Sequence, residues 1–473
     1  DSIKNCLRCG KCKPECMTHI PRANLLYSPR NKILATGLII EAFLYEEQTR
    51  RGLSKRHFDE LNDVADHCTT CHKCLSPCPV NIDFGDVSIA MRTLLTNNKQ
   101  RRKSLGSMLG IWFLNLQDPT MIQWSRKFML DWGFKSIRWL RMTLKGMGLA
   151  PPRHDQARSS SGKPVIKQQI VNFVRNPIQA NVPSKTMRQL LAADDSQMVP
   201  IIRNPAIPKE ERDSVFYFPG CGSERLFSQV GLASIAMLYE AGARTVLPPG
   251  YLCCGYPQIA AGQEVKGQQI TTQNRVLFHR VANTLNYLDI KTVIVSCGTC
   301  LDQLERYEFD KIFPGSRIMD IHEYLLEKNF KLEQASDTRY IYHDPCHTPV
   351  KNHVPIELAS NLMQQPVALT SRCCSESGTL ATARPDIAHQ LFTRKLESMQ
   401  AAKQEVQAGD DKVEVKCLTS CPACQQGLSR YEKLTGMSTD YIVVEMAKLN
   451  YGDQWLDTFL EKVSHGGMEK VLL

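Results

Sequence analysis

Hydrophobic and polar positions follow different periods in different parts of the chain. Around residues 31–52 apolar residues recur at helical spacing in KILATGLIIEAFLYEEQTRR, and Gly52 closes the run, which predicts one long helix. Residues 108–147 predict three short helices, separated by Asp118-Pro119, a typical helix start, and by Gly133. From Ser214 onward, apolar runs such as VFYF and TVIV alternate with helical stretches such as RLFSQVGLASIAMLYEAG, which predicts a parallel α/β sheet.

Two stretches between these regions are predicted to be linker and surface belt. One is the polar run that follows Pro151-Pro152, and the other is the proline-rich VPIIRNPAIPKEE, which begins at Val199. The longest apolar stretch, residues 108–116, is too short to cross a membrane, and no signal peptide is recognisable. We therefore expect neither secretion nor a membrane span.

Cysteine is unusually frequent, with 19 among 473 residues, and it occurs in tight C-x-x-C and C-C groups. Such groups in a large chain favour thiolate ligation of metal over a disulfide framework. The chain opens at Asp1, only five residues before the first cysteine motif. We expect it to be a fragment of a longer polypeptide.

Two cysteine runs near the start have the spacing C-x2-C-x2-C-x3-C of bacterial ferredoxins. The runs are Cys6, Cys9, Cys12 and Cys16, then Cys68, Cys71, Cys74 and Cys78. In two-cluster ferredoxins the fourth cysteine of each run ligates the other cluster. We therefore predict one [4Fe-4S] cluster on Cys6, Cys9, Cys12 and Cys78, and a second on Cys68, Cys71, Cys74 and Cys16. Structural zinc is the alternative, and the tandem arrangement argues against it.

A long insertion separates the two runs, since 51 residues stand between Cys16 and Cys68 and contain the predicted helix. A compact β-type ferredoxin has no room for it. The module resembles the α-helical ferredoxin domains of respiratory dehydrogenase subunits.

Another set of cysteines occurs twice in the second part of the chain. Two matching sets are related by an offset of 120–125 residues: Cys221, Cys253, Cys254, Cys297 and Cys300, then Cys346, Cys373, Cys374, Cys421 and Cys424. VSCGTCLDQL also resembles TSCPACQQGL, which indicates an internal duplication. We predict that these cysteines lie where strands end and helices begin. Five thiolates exceed what a cubane needs, and adjacent cysteines favour a noncubane, opened cluster.

The Cys253-Cys254-Gly255 motif with its flanking cysteines resembles the cysteine-rich CCG domain. That domain occurs in heterodisulfide reductases, in glycolate oxidase iron-sulfur subunits and in anaerobic glycerol-3-phosphate dehydrogenases. The beginning of the chain also resembles the C-terminal part of large bacterial FAD-linked oxidases of D-2-hydroxy acids. The second set departs from the pattern, because Ser375 follows its cysteine pair. Its site is expected to hold a cluster, zinc or only structural thiols.

Three residues near the second set receive structural interpretations. Cys417 aligns with Val293 and is expected to be a strand residue rather than a ligand. His343 and His347 flank Cys346 without counterparts in the first set, so we expect them to form hydrogen bonds rather than to bind metal.

The net charge of +10 is concentrated in one segment. Residues 99–146 hold ten Lys or Arg against two Asp, and four of the five Trp. Basic residues such as Arg126, Lys127, Lys135 and Arg138 interleave with aromatic ones. This pattern favours an interfacial membrane surface over nucleic acid, with a set of core helices as the alternative.

The predicted fold is an α+β multidomain protein in which an α-helical ferredoxin domain precedes a duplicated α/β cysteine-rich domain. The predicted units are 1–98 (ferredoxin), 99–150 (basic, Trp-rich helices), 151–212 (linker), 213–335 (first repeat) and 336–473 (second repeat).

The leading functional hypothesis is an electron relay from a flavin-dependent 2-hydroxy acid dehydrogenase to a membrane quinone, with the exit at the first cysteine-rich site. Neither a G-x-G-x-x-G nor a Walker motif is present, so FAD is expected on an upstream domain or a partner. Thiol-disulfide reduction and a non-enzymatic metal scaffold or sensor are the alternatives. The expected location is the cytoplasm, on the inner face of the membrane. The organic donor is not encoded in these residues.

Overall fold

The N-terminal region is helical. The computed structural model describes residues 2–20, 25–50, 52–148, 164–175, 183–208, 212–333, 336–376, 380–410 and 412–473. The helices of the N-terminal region are Ser2–Asn5, Cys12–Glu15, Leu25–Tyr27, Pro29–Gln48, Lys55–Asp66 and Phe84–Asn97. The predicted long helix is confirmed, although it begins at Pro29 and ends four residues before Gly52. Its buried side chain Ile33 packs with Leu61 and Leu95 of the neighbouring helices.

The tryptophan-rich segment, residues 105–146, forms the predicted helices. They are Leu105–Asn115, Pro119–Arg126 and Gly133–Gly146, with a π-helical turn at Lys127–Trp132. Asp118 caps the second helix, because its carboxylate accepts a hydrogen bond from the Met121 N–H at 2.7 Å. None of the helices in the described ranges combines the length and apolarity that a bilayer crossing demands.

Most aromatic side chains of the tryptophan-rich segment face outward. Trp124 is 73 % exposed, and Trp132 and Trp139 are each 67 % exposed. The alternative of a set of core helices is therefore wrong for these side chains. Arg126 departs from the expected basic surface, since it is buried and donates to the carbonyls of Pro183 and Leu226.

The first sheet has six strands in the order β10-β1-β3-β2-β4-β5. The strands are β1 Met198–Ile202, β2 Ser214–Phe218, β3 Arg244–Val246, β4 Ile290–Val295, β5 Arg317–Asp320 and β10 Met468–Leu472. Strands β3, β2, β4 and β5 are parallel, as predicted, whereas β1 is antiparallel to both β3 and β10. The helices around it are Gly222–Leu226, Ser228–Glu240, Tyr256–Ala260, Glu264–Thr284, Gly298–Leu304, Glu305–Tyr307, Phe309–Ile312 and Ile321–Glu327.

The second sheet has four parallel strands in the order β7-β6-β8-β9. They are β6 Arg339–His343, β7 Val367–Leu369, β8 Val415–Thr419 and β9 Ser438–Tyr441. Its helices are Pro355–Met363, Leu380–Ala383, Pro385–Gln407, Pro422–Leu428, Ser429–Tyr431, Glu432–Thr435, Ile442–Tyr451, Trp455–Lys462 and Val463–Gly467.

The two sheets share one core at their carboxyl ends. The Tyr217 hydroxyl forms a hydrogen bond of 2.8 Å with the Ser296 hydroxyl. In the second sheet the Tyr342 hydroxyl forms the same bond, also of 2.8 Å, with the Ser420 hydroxyl. The Tyr441 hydroxyl donates to the carbonyls of both serines, at 2.8 and 3.2 Å. These buried bonds hold the ends of β4 and β8 together.

Two boundaries differ from the sequence prediction. The predicted linker 151–212 contains the helices Ile166–Arg175 and Met187–Leu190 and the buried strand β1, while residues 151–163, 176–182 and 209–211 lie outside the described residues. Met198–Ile202 therefore form a strand and not a linker, and the side chains of Val199 and Ile201 pack in a hydrophobic core of the first sheet. The last strand, β10, also belongs to the first sheet and not to the unit 336–473.

Candidate metal centre

The first ferredoxin-type site gathers thiols from both cysteine runs. Cys6, Cys9, Cys12 and Cys78 line one pocket, together with Cys74. Cys9 is exposed, so this site reaches the protein surface. The structure thus brings together the four cysteines predicted for one cluster.

The second ferredoxin-type site lies deeper. Cys16 and Cys74 are buried, and the charges of Cys68 and Cys16 both act on Cys71 and on Cys74. Cys16 thus lies near the thiols of the second run, and the crossed assignment of ligands to two clusters stays a prediction. Burial raises the pKa of the Cys74 thiol to about 12, so without a metal the thiol would stay protonated. A bound cation deprotonates such thiols, and a set of converging thiols fits iron-sulfur ligation.

The two ferredoxin loops share one backbone conformation. Gly10 and His72 occupy the same position in the two runs, and both have a positive φ, of 79° and 56°. The imidazole of His72 is held by Asp83, with 2.6 Å between Nδ1 and a carboxylate oxygen.

Backbone N–H groups donate to cysteine sulfurs in the ferredoxin module, from Phe84 to Cys74 at 3.4 Å and from Ile82 to Cys78 at 3.3 Å. Such bonds adjust cluster potential.

The first cysteine-rich site lies at the carboxyl ends of three adjacent strands. Cys221 follows β2, the pair Cys253-Cys254 follows β3, and Cys297 and Cys300 follow β4, as predicted. The sulfurs of Cys253 and Cys221 are 3.9 Å apart, and Cys254 and Cys300 lie close enough for each to shift the pKa of the other. Gly255 has a φ of +89°, and an added Cβ would lie 2.9 Å from the Gly267 carbonyl oxygen, so this turn requires glycine.

The second cysteine-rich site repeats this placement. Cys346 follows β6, the pair Cys373-Cys374 follows β7, and Cys421 and Cys424 follow β8. Ser375 has a φ of +66°, so it keeps the left-handed conformation that Gly255 has in the first site. Its hydroxyl donates to the Cys374 carbonyl at 2.6 Å and lies 3.1 Å from the Tyr431 hydroxyl. The loss of glycine therefore leaves the loop conformation intact.

All four thiol sites lie next to one another in series. Burial raises the pKa of the Cys71 thiol, and a charge on Cys346 raises it further, which places the second cysteine-rich site beside the buried ferredoxin site. Cys297 and Cys421 lie close enough for each to shift the pKa of the other, which places the two cysteine-rich sites side by side. The sequence carries no signal for these contacts, because they depend on how the domains pack.

A hydrogen-bonded junction surrounds the contact between the ferredoxin domain and the sheets. His347 bonds through Nε2 to the Thr70 carbonyl at 2.8 Å and through Nδ1 to Asp302 at 2.6 Å. Tyr256 donates to the same carbonyl at 3.1 Å. The expected hydrogen-bonding role of His347 is confirmed, and the role of Tyr256 was missed.

The surroundings of Cys417 and His343 complete the second site. Burial raises the pKa of Cys417 to about 12, and the residue lies within β8, where the alignment with Val293 places it. His343 accepts a hydrogen bond from Lys395 at Nδ1, at 3.0 Å. Sequence analysis missed Lys395, whose position in a long amphipathic helix is typical of a solvated charge, although the side chain is fully buried.

Comparisons with known protein families agree with the motifs. Residues 2–82 match a 4Fe-4S dicluster domain, residues 215–305 a cysteine-rich domain, and residues 429–473 a domain of unknown function. The chain carries iron-sulfur binding domains. This confirms the resemblance that the two kinds of cysteine motif indicated.

Three curated relatives extend this likeness over most of the chain. A probable glycolate oxidase iron-sulfur subunit of Bacillus subtilis is 21% identical over 94% of this chain and 93% of its own length. One of the subunits of the dihydromethanophenazine:CoB–CoM heterodisulfide reductase of Methanosarcina barkeri is 20% identical over 94% and 92%. An uncharacterized iron-sulfur protein of Methanococcus maripaludis is 25% identical over 51% of this chain, which spans only 47% of that relative. These likenesses support an electron-transfer role in an oxidoreductase.

Proposed function

We propose that this chain relays electrons from a flavoprotein that oxidises a 2-hydroxy acid to a quinone at a membrane surface. One observation carries the proposal: the thiol sites adjoin one another from the exposed Cys9 inward to Cys221. Iron-sulfur clusters held by these thiols would carry the electrons one at a time. The Bacillus relative named as a glycolate oxidase subunit supports the class of donor.

We assign an order to the sites. A donor can approach the site with Cys9 because that thiol is exposed, whereas ten of the other cysteines are buried. From there the series runs through the buried ferredoxin site to Cys346, through the second cysteine-rich site, and across Cys421 to Cys297 of the first. The matching strand orders β3-β2-β4-β5 and β7-β6-β8-β9 support descent of the two cysteine-rich sites by duplication.

The exit is assigned to the first cysteine-rich site because the tryptophan-rich segment attaches there. Arg225 donates to the carbonyl of Leu114 at 2.7 Å, and its charge acts on Cys221. Gln258 donates to Asn115 at 2.9 Å and lies 3.8 Å from the sulfur of Cys253. The exposed Trp side chains and the surplus of basic residues fit an anionic membrane surface, which would bring a quinone close to this site.

Thiol-disulfide reduction at the cysteine-rich sites is the second candidate function. It is favoured by the heterodisulfide reductase relative, which aligns with nearly the whole chain. The two candidates differ in the acceptor, so quinone and a mixed organic disulfide are offered separately to the same reduced protein. If the disulfide oxidises the reduced protein and quinone does not, thiol-disulfide reduction replaces quinone reduction as the proposed function.

The relay is tested with Cys254→Ser and Cys374→Ser in the full chain together with its flavoprotein. Each substitution removes one thiol from a site in series, so we expect donor-to-quinone turnover to fall by at least tenfold in both. Turnover with an artificial acceptor of the flavin is expected to stay normal. Cys417→Val serves as the control for loss of a buried thiol. Unimpaired quinone reduction by Cys374→Ser protein with normal iron content would contradict the order of the sites.

Membrane attachment is tested separately by flotation with vesicles that contain anionic phosphatidylglycerol. Trp124→Ala combined with Trp139→Ala is expected to reduce bound protein several-fold, because both side chains are exposed and able to insert at the interface. Tyr287→Ala is a matched control, since Tyr287 is a 62 % exposed aromatic at the opposite, amino end of β4. Equal binding of all three proteins would show that the segment faces a protein partner.

A further inference from the structure

The two cysteine-rich sites differ in two residues that lie behind the cysteine pair. The last residue of β2 is Phe218, and the last residue of β6 is His343. The long helix after each pair carries Asn274, twenty residues beyond Cys254, and Lys395, twenty-one residues beyond Cys374. The second site thus has a histidine and a lysine where the first has a phenylalanine and an asparagine.

Lys395 fixes which nitrogen of His343 carries the proton. Its ammonium group is buried and lies 3.0 Å from His343 Nδ1, 2.9 Å from the Ser371 carbonyl and 3.1 Å from the Thr370 carbonyl. Two carbonyl oxygens, which only accept, and the Thr370 hydroxyl share this nitrogen with His343, an environment that suits the three donors of an ammonium group. Because an ammonium group only donates, Nδ1 must accept, and the neutral imidazole carries its hydrogen on Nε2.

The Nε2–H group of His343 is a buried donor. His343 is 1 % exposed, and among the described residues its Nε2 has no hydrogen-bond partner. A ring nitrogen of His343 and the sulfurs of Cys374 and Cys424 all lie within 4.8 Å of one another. Since Nδ1 is engaged by Lys395, the nitrogen that faces the sulfurs is Nε2.

The first site has a different pair of residues. Phe218 offers no donor, and Asn274 donates to the Cys253 carbonyl at 2.8 Å. The buried cation near that site, Arg225, bonds through Nη1 to the carbonyls of Phe113 and Leu114. Among the described residues, a histidine held by a buried lysine behind the cysteine pair is therefore a property of the second site.

We propose that Lys395 and His343 form a hydrogen-bond relay that donates to the Cys374 thiolate and raises the reduction potential of the second site, with His343 as a positioning residue and not a metal ligand. The inference rests on the proposed relay function. Reduction adds negative charge to a ligated centre, and a donor at a ligating sulfur stabilises that charge. A raised potential makes the second site the acceptor for electrons that arrive beside Cys71.

The test is a redox titration of the full chain, purified without oxygen and followed by paramagnetic resonance. The signal that disappears in Cys374→Ser protein identifies the second site. His343→Phe and Lys395→Asn, which copy the first site, are expected to shift that midpoint to a more negative value with iron content unchanged. His343→Gln keeps an N–H donor, so its shift is expected to be smaller. Cys417→Val, also buried beside Lys395, is the control and is expected to leave the midpoint in place.

The outcomes separate this inference from the relay function. An unshifted midpoint in both His343→Phe and Lys395→Asn proteins would overturn the inference and leave the relay standing. Loss of iron or zinc from His343→Gln and His343→Phe proteins would make His343 a ligand, which also overturns it. If wild-type protein has no reducible centre that depends on Cys374, the relay order fails, and this inference fails with it.

Discussion

The two cysteine-rich sites have the same ligand positions but different neighbours. Both lie at the carboxyl ends of three parallel strands, and both have a left-handed residue after the cysteine pair. Both sites adjoin the ferredoxin domain, the first where Tyr256 donates to the Thr70 carbonyl at 3.1 Å and the second where Arg384 bonds to Asp66 at 3.1 Å. Arg225, beside the first site, also bonds to the tryptophan-rich segment. The two sites therefore share one scaffold and differ in the residues behind the thiols.

The largest effect is expected from a substitution at Gly298, because this residue stands between two cysteines of the first site and contacts the loop of the second. An added Cβ would lie 1.9 Å from the carbonyl oxygen of His347, next to Cys346, whereas the matching position of the second site holds Pro422. We expect Gly298→Ala to cost about 3 kcal/mol or more, because the backbone of the opposing loop must move. The measurements are denaturant unfolding and iron content.

A matched control is Gly37→Ala, in the middle of the helix Pro29–Gln48. Among the described residues, no atom beyond the neighbouring residues and the helix's own backbone lies within 4 Å of the added Cβ, and the backbone is helical. This substitution is expected to stabilise the chain by about 0.5–1 kcal/mol. If Gly298→Ala unfolds at the same denaturant concentration as Gly37→Ala, the close packing of the two sites is wrong.

A smaller effect is expected from exchanging the residues after the cysteine pairs. Gly255→Ser places a Cβ 2.9 Å from the Gly267 carbonyl at a φ of +89°, which should cost about 1–3 kcal/mol. Ser375→Gly relieves left-handed strain but loses the bonds to the Cys374 carbonyl and to Tyr431, so its net effect should lie within about 1 kcal/mol.

The exchange is measured by denaturant unfolding and by iron content for each protein. A larger loss of stability in Gly255→Ser than in Ser375→Gly would show that the second loop has adapted to its serine. Equal losses in the two variants would show instead that both loops tolerate a side chain equally, against the close contact of Gly255 with Gly267.

Local patterns predicted much of the fold. The helix at Pro29–Gln48, the cap at Asp118 and the parallel strands β2 and β4 all follow from residue periodicity and capping residues. The strand Met198–Ile202 was missed because Pro200 stands in the middle of its apolar residues, and proline normally marks a loop. Its partner β10 comes from more than 260 residues further along the chain, a pairing that no local pattern encodes.

The candidate site was likewise predictable from local sequence patterns only in part. Cysteine spacing predicted which thiols lie together in the ferredoxin-type sites, since three ligands of each cluster come from one tight loop and the fourth from the other run. It could not predict that Cys346 lies beside Cys71 or that Lys395 is buried behind His343, because both depend on packing between distant helices and strands. Ser375 could not be judged either, since serine rarely adopts the left-handed conformation that it has here.

The smallest expected effect is that of Cys417→Val, which gives the second sheet the residue that the first has at Val293. Cys417 is fully buried in β8, and burial raises its pKa to about 12, so it behaves as a small apolar side chain. We expect unchanged iron content and a change in unfolding free energy below about 1 kcal/mol. The side chains of Lys395 and Tyr431 stay in place in this variant, so the second site keeps its own surroundings. Loss of iron on this substitution would make Cys417 a sixth thiol of the second site, and the two sites would then differ in their ligands and not only in the residues behind them.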